Sequence, residues 1–250
     1  MRIGDQIASM RPHGDLTDRA RSQRQHEADM IAHEGLRTAL ARAFPGEPVI
    51  SEEDAHHDHE RPDAYWLIDP IDGTASWSRG FPGFVCQLAR IEGDRVAFAA
   101  MHAPVLQRTW VCVADRGAYL NGDRLADLGN DPADDRIVVV DNTPEPHGIA
   151  RDLMARLGSD RYLESGSIGL KAALVATGEA DVFVKDVVVR DWDVAPALAI
   201  IREVGGDLRG GDGRPYRLTG DYAKPRGVLV ARSRFLGDRI GAWLGERRHP

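Results

Sequence analysis

The sequence predicts a mixed protein, α+β in its first half and α/β in its second, and three observations carry that expectation. A single helical segment precedes a run of strand-like segments separated by Gly, Pro and Asp turns; a polar break follows near Asp131; beyond it, short apolar strands alternate with helical segments. The expected units are 1–131, α+β, and 132–250, α/β with a layered sheet. With 250 residues and 42% hydrophobic content, the chain can bury a substantial core.

Residues 21–44 place Met30, Ile31, Leu36, Leu40 and Phe44 at roughly helical spacing and stop at Pro45-Gly46, which predicts one long helix. "PVISEED" reads as a short strand, "AHHDHERPD" as a polar loop, and "AYWLIDP" as a strand that Pro70 ends. Strands follow at "GFVCQLARIEG", "RVAFAAMHAP", "RTWVCVAD" and "GAYLNGDRL", in the manner of an antiparallel sheet. "ADLGNDPADDR" is the break between the halves. After it come the strand "IVVVDN", the helices "GIARDLMARLG" and "IGLKAALVATGEA", the strand "DVFVKDVVV" and the helix "VAPALAIIREVGG", closed by Gly205 and Gly206.

A net charge of −7 argues against a general affinity for nucleic acid or anionic membrane, so an anionic substrate must be met by a local device. No apolar run has the length of a membrane span or the character of a secretory leader, and a cytoplasmic protein is expected. Cys86 and Cys112 both lie in apolar runs and read as reduced, buried thiols. His56, His57 and His59 lie together in a polar run without metal-site spacing and read as a solvated loop.

The acidic residues are the informative ones. Glu52 and Glu53 end one strand, Asp69 and Asp72 end another, and Asp193 begins a helix, with no basic residue beside them in sequence to neutralise them. Oxygen-only donors suit Mg²⁺, whereas zinc would call for His or Cys. The Asp-Pro-Ile-Asp turn lets Asp69 and Asp72 face one site, and Gly73-Thr74 opens a helix whose free N–H groups suit a phosphate. Each feature taken singly is also ordinary turn or cap chemistry; their joint occurrence points to phosphoryl transfer.

"SEED" at 51–54, "WLIDPIDGT" at 66–74 and "WDVAPALAIIREVGG" at 192–206 together resemble, in order and spacing, the three signatures of the inositol monophosphatase family, and "LVATGEADVFV" resembles its segment before the third. The resemblance covers roughly residues 25–232 and implies a layered α-β-α-β-α sandwich, a homodimer, and phosphomonoesterase activity dependent on two or three Mg²⁺ ions. By matching position, Glu52, Asp69 and the Ile71 carbonyl would hold one metal, and Asp69, Asp72 and Asp193 a second, with a weaker third leaning on Glu52. Thr74 and Asp29 would orient the attacking water, Gly73 and Thr74 would bind phosphate through N–H groups, and Gly166 and Ser167 would touch the substrate.

Only 28 residues precede Asp29, so the family's first helix is expected to be shortened or absent, and "QHEAD" stands in place of "VTxAD". Lys185, followed by Asp186, stands where members acting on inositol or histidinol phosphates carry a Glu. Lys171, "SEED" and "DYAKP" resemble the 3'(2'),5'-bisphosphate nucleotidase branch, which makes Lys185 and Lys171 candidate contacts to a second phosphate. The expected substrate is a nucleoside 3',5'-bisphosphate; alternatives are inositol 1-phosphate, histidinol phosphate or a specialised sugar or cyclitol phosphate. A non-catalytic binding protein on the same fold is disfavoured by the full set of carboxylates.

Overall fold

The structure, a computed structural model, describes residues 2–12, 17–57 and 60–248. Helix α1 (Arg2–Ser9) is followed by α2 (Asp18–Ala43), whose N-terminus is capped by Thr17 accepting the Ala20 N–H at 3.3 Å. That cap starts the long helix one turn before the position expected from its apolar spacing. The first helix is thus present, at eight residues.

The first sheet contains β1 (Val49–Ser51), β2 (Ala64–Asp72), β3 (Val85–Glu92), β4 (Arg95–Ala103), β5 (Arg108–Val113), β6 (Gly117–Leu120) and β7 (Asp123–Arg124), in that spatial order. Only β1 and β2 pair in parallel; the rest form an antiparallel meander. The short helix α3 (Thr74–Ser78) links β2 to β3. Residues 117–125, expected as one strand, fold into the β6–β7 hairpin because Asn121 and Gly122 both adopt positive φ, as a tight two-residue turn demands.

The second sheet has the order β12 (Asp207–Gly210), β14 (Val228–Ala231), β10 (Val182–Lys185), β8 (Val139–Asp141), β9 (Tyr162–Glu164). Its helices are α4 (Gly148–Leu157), α5 (Ile168–Ala176), α6 (Asp191–Glu203) and α7 (Arg234–Arg248). The expected single strand at 181–189 divides into β10 and β11 (Val189–Arg190); β11 leaves the sheet and pairs with β13 (Ala223–Lys224). Strands β9, β12, β13 and β14 and helix α7 add to the elements expected from the sequence.

Five layers result. Helices α1 and α2 cover the outer face of the first sheet, α5 and α6 lie between the sheets, and α4 and α7 cover the far face of the second. Position explains composition: every residue of α5 from Gly169 to Ala176 is buried, as a helix sandwiched between two sheets requires. The sheets divide between β7 and β8, on either side of Asp131, yet Leu67 and Met101 of the first share one apolar cluster with Phe183 and Val230 of the second. No described helix is long and apolar enough to cross a membrane.

Candidate active site

Strand β2 does not stop at Pro70; it changes register there. Asp69 faces Gln87 of β3 and Asp72 faces Val85, so three steps on β2 match two on β3. Side chains alternate along a strand, and residues three apart would point to opposite faces. The extra residue at this bulge reverses the alternation. Ile71 therefore packs outward with Ala28, Ala32 and Trp77, while Asp69 and Asp72 both face inward, toward α5 and α6.

The carboxylates come from separate elements. Asp72, 7% exposed, accepts the Gly169 N–H at 2.7 Å and the Ile168 N–H at 3.2 Å, two free donors in the first turn of α5. Asp193, in the first turn of α6, accepts the Arg190 N–H at 2.8 Å. Glu52 follows β1 in a turn held by Ser51, whose N–H reaches Asp54 at 2.8 Å and whose Oγ lies 2.8 Å from His33 Nδ1. Asp69 is 1% exposed, and its Oδ1 has no hydrogen-bond partner.

Burial raises all four acids, and mutual repulsion adds to it in Asp69, Asp193 and Glu52. Asp69 is held well above the carboxylate range by desolvation and by Glu52, Asp72 and Asp193; Asp193 is likewise raised by burial and by Asp72 and Glu52. Glu52 is raised by burial and Asp72; Asp72 is raised by burial against the pull of the α5 N–H groups. Asp29, 6% exposed on α2, is pushed up to about 7 by burial, Glu53 and Glu52, and its Oδ1 also lacks a partner.

No Lys or Arg among the described residues forms a salt bridge with Glu52, Asp69, Asp72 or Asp193. Nor do three His, Cys, Asp or Glu side chains among those residues already converge at ligand positions around one point. An all-oxygen set with an orphaned, buried Asp69 Oδ1 fits a hard divalent cation such as Mg²⁺.

The glycines are set by close approach. Gly73 has φ +93°, and a Cβ there would lie 3.0 Å from both Gly83 O and Ser167 Cβ. Gly83 O accepts the Ser167 N–H at 2.7 Å, and a Cβ on Gly166 would fall 1.8 Å from that oxygen. Helices α2 and α3 pack together, which brings Asp29 and Thr74 to neighbouring elements. Ser167 Oγ accepts the Leu170 N–H at 2.9 Å as the cap of α5.

Two expectations are corrected. Lys171 is 2% exposed, 3.5 Å from the buried Asp141 and over the Phe183 ring, so it neutralises Asp141 and is shut off from a second phosphate. Burial pulls its pKa down to about 8. Lys185 stays half-buried at the end of β10, bonding Asn142 Oδ1 at 3.2 Å and lying 3.7 Å from Asp141. The second correction concerns the histidine loop. His56 is exposed and His59 lies outside the described residues, but His57 reaches Ser51 O at 2.7 Å and packs against Trp192, ring centroids 4.6 Å apart and planes tilted by 41°.

Sequence reasoning passed over Gln87, a polar residue on the inner face of an apolar strand, and the clamp beneath Asp193. Asp191 is fully buried; it accepts the Tyr216 hydroxyl at 2.8 Å, bonds Arg61 and lies 3.6 Å from Lys224 Nζ. Arg61 also bonds Gly220 O and the Tyr65 hydroxyl and lies over the Tyr222 ring. Both cysteines are free and buried, and burial pushes each thiol up to about 12.

The layered fold thus gathers carboxylates from both halves, at the ends of two strands, β1 and β2, and at the start of one helix, α6. The inositol monophosphatase family model matches residues 8–245, and the chain belongs to that family. It is 32% identical over 180 residues to a fructose-1,6-bisphosphatase/inositol-1-monophosphatase of Thermotoga maritima, covering 72% of this chain and 68% of the relative. It is 26% identical to the 3'(2'),5'-bisphosphate nucleotidase CysQ of Aggregatibacter actinomycetemcomitans, covering 86% and 82% of the two chains. The crystal structure of inositol monophosphatase II from Staphylococcus aureus superposes with a TM-score of 0.81 over 99% of this chain and 93% of that one, at 21% identity. The protein is a phosphoric monoester hydrolase.

Proposed function

We propose that the enzyme is a Mg²⁺-dependent phosphatase that removes one phosphate from a small molecule by attack of water, with a nucleoside 3',5'-bisphosphate as the preferred substrate. Four buried acids, Glu52, Asp69, Asp72 and Asp193, close enough to raise one another and unbridged by any described Lys or Arg, carry the reading. These residues, with the Ile71 carbonyl, would hold two or three Mg²⁺ ions, which when bound polarise the phosphate ester and make water a better nucleophile. Asp29, buried on α2 with an unpartnered Oδ1, serves as the base that takes the water proton, and Thr74 on the adjoining helix orients that water. N–H groups of Gly73 and Thr74 hold the phosphate.

The substrate preference rests on the CysQ relative and on Lys185, the cation left accessible beside Asp141 once Lys171 is spent on that carboxylate. The Thermotoga relative favours a second reading, an inositol phosphate or sugar bisphosphate. Phosphate release from adenosine 3',5'-bisphosphate, inositol 1-phosphate, histidinol phosphate and fructose 1,6-bisphosphate, each with an EDTA control, separates the two. Asp69→Asn should abolish metal-dependent release while the protein stays folded; undiminished release would sink the mechanism. The same reading makes the protein a cytoplasmic homodimer, and a monomer mass by light scattering would refute the dimer.

A further inference from the structure

Gln87 is 1% exposed, and its side-chain nitrogen is surrounded by acceptors: Trp192 O at 3.0 Å, Asp72 Oδ2 at 3.3 Å, Asp69 Oδ2 at 3.4 Å and Asp193 O at 3.4 Å. Because two of the four neighbours, including the nearest, are backbone carbonyls that can only accept, the NH₂ end of the amide must face them. Its oxygen has no partner and lies behind, where a Cβ on Gly169 would come within 2.4 Å. Two protons thus serve four acceptors, and the shortest contact goes to a helix carbonyl.

That carbonyl is special for a reason written in the sequence. In an α-helix each N–H bonds the carbonyl four residues earlier. The residue four after Trp192 is Pro196, inside α6, which has no N–H and whose ring crowds that carbonyl. Trp192 O is therefore left without its helical donor one residue before Asp193, and the group that reaches it comes from β3 of the first sheet.

We propose that Gln87 is a positioning residue that stands in for the N–H missing at Pro196, and so ties the start of α6, with Asp193, to the β2 aspartates. This rests on the reading of the four carboxylates as one metal site. With one proton on Trp192 O, the other is shared by Asp69 and Asp72, so a single amide sets the spacing between acids of the first sheet and the acid of α6. Gln87 itself touches neither water nor phosphate in this scheme.

A double-mutant cycle tests it. Gln87→Met keeps the volume and removes both donors; Pro196→Ala restores the helical N–H. In EDTA, Gln87→Met should lower the melting temperature by about 4–8 °C. The same substitution should cost less than half as much in the Pro196→Ala background. Equal losses in both backgrounds would overturn the proposal. Mg²⁺ titration by calorimetry is the readout that mere loss of packing would not move: Gln87→Met should weaken binding about 10–100-fold. Wild-type affinity in that variant would also overturn it. If Gln87→Met fails to fold alone, the double variant decides, since folding there supports the tie and failure there refutes it. Absence of Mg²⁺ binding by the wild-type protein would refute the metal reading instead, and the EDTA melts would still decide the role of Gln87.

Discussion

Replacing Asp29 by asparagine should stabilise the metal-free protein at about pH 8 and leave its stability nearly unchanged near pH 4. In the unfolded chain this carboxyl loses its proton near pH 4; in the folded protein, burial and the charges of Glu53 and Glu52 delay ionisation until about pH 7. Between those values the folded state binds the extra proton, so stability falls as pH rises, and above pH 7 the full penalty applies. A tenfold change in proton affinity is worth about 1.4 kcal/mol, which puts the penalty at up to about 4 kcal/mol. Since about 1 kcal/mol moves the melting temperature of a protein this size by roughly 2–4 °C, Asp29→Asn should raise it by about 5–15 °C at pH 8 in EDTA. Below pH 4 both states are protonated and asparagine is a close neutral mimic, so the gain should vanish. With Mg²⁺ present, the same variant should lose about 10²–10⁴-fold in turnover, as expected for removal of a general base. Thermal melts across pH, wild type against variant, are the assay. An equal shift at both ends of the range, or destabilisation at pH 8, would refute the electrostatic account of Asp29.

Gly169→Ala should impair turnover and Mg²⁺ binding together, because its Cβ would come within 2.4 Å of Gln87 Oε1 and 3.0 Å of Asp72 Oδ2; unchanged calorimetric affinity would contradict that packing. Arg61→Met should lower the melting temperature by about 6–15 °C by stripping a directly bonded cation from a fully buried Asp191, which among the described residues keeps the Tyr216 hydroxyl and Lys224. Arg61→Lys should recover little of that loss, because an ammonium group cannot span Gly220 O, Tyr65 and Asp191 at once; full recovery would show that charge alone matters. Cys86 and Cys112, buried and pushed up to about 12, should resist a thiol reagent at pH 8 until denaturant is added, and rapid labelling of the native protein would count against their burial.

Much of this protein was legible in the sequence for simple physical reasons. Apolar periodicity, Gly and Pro punctuation and the polar break near Asp131 are local signals, and they marked α2, the meander, β8, α4, α5, β10 and α6. Five acids in short signatures, with no basic residue adjacent, likewise pointed to the family whose model the chain matches. Other features depend on partners distant in sequence. That Asp69 and Asp72 share a face is decided by a one-residue bulge against β3, which the spacing alone does not show. Lys171 looked like a cation for substrate, but Asp141, thirty residues earlier, claims it in the interior. His57 looked solvated until Trp192 arrived beneath it. Gln87 was silent in its strand because its meaning comes from a proline more than a hundred residues away. The sequence by itself determined the family and most of the segments that form helices and strands, and it marked the acids proposed for the chemistry; only the tertiary structure decided which polar groups stay accessible and which are consumed in the core, because an unpaired polar group costs little in water and a great deal once two sheets close over it.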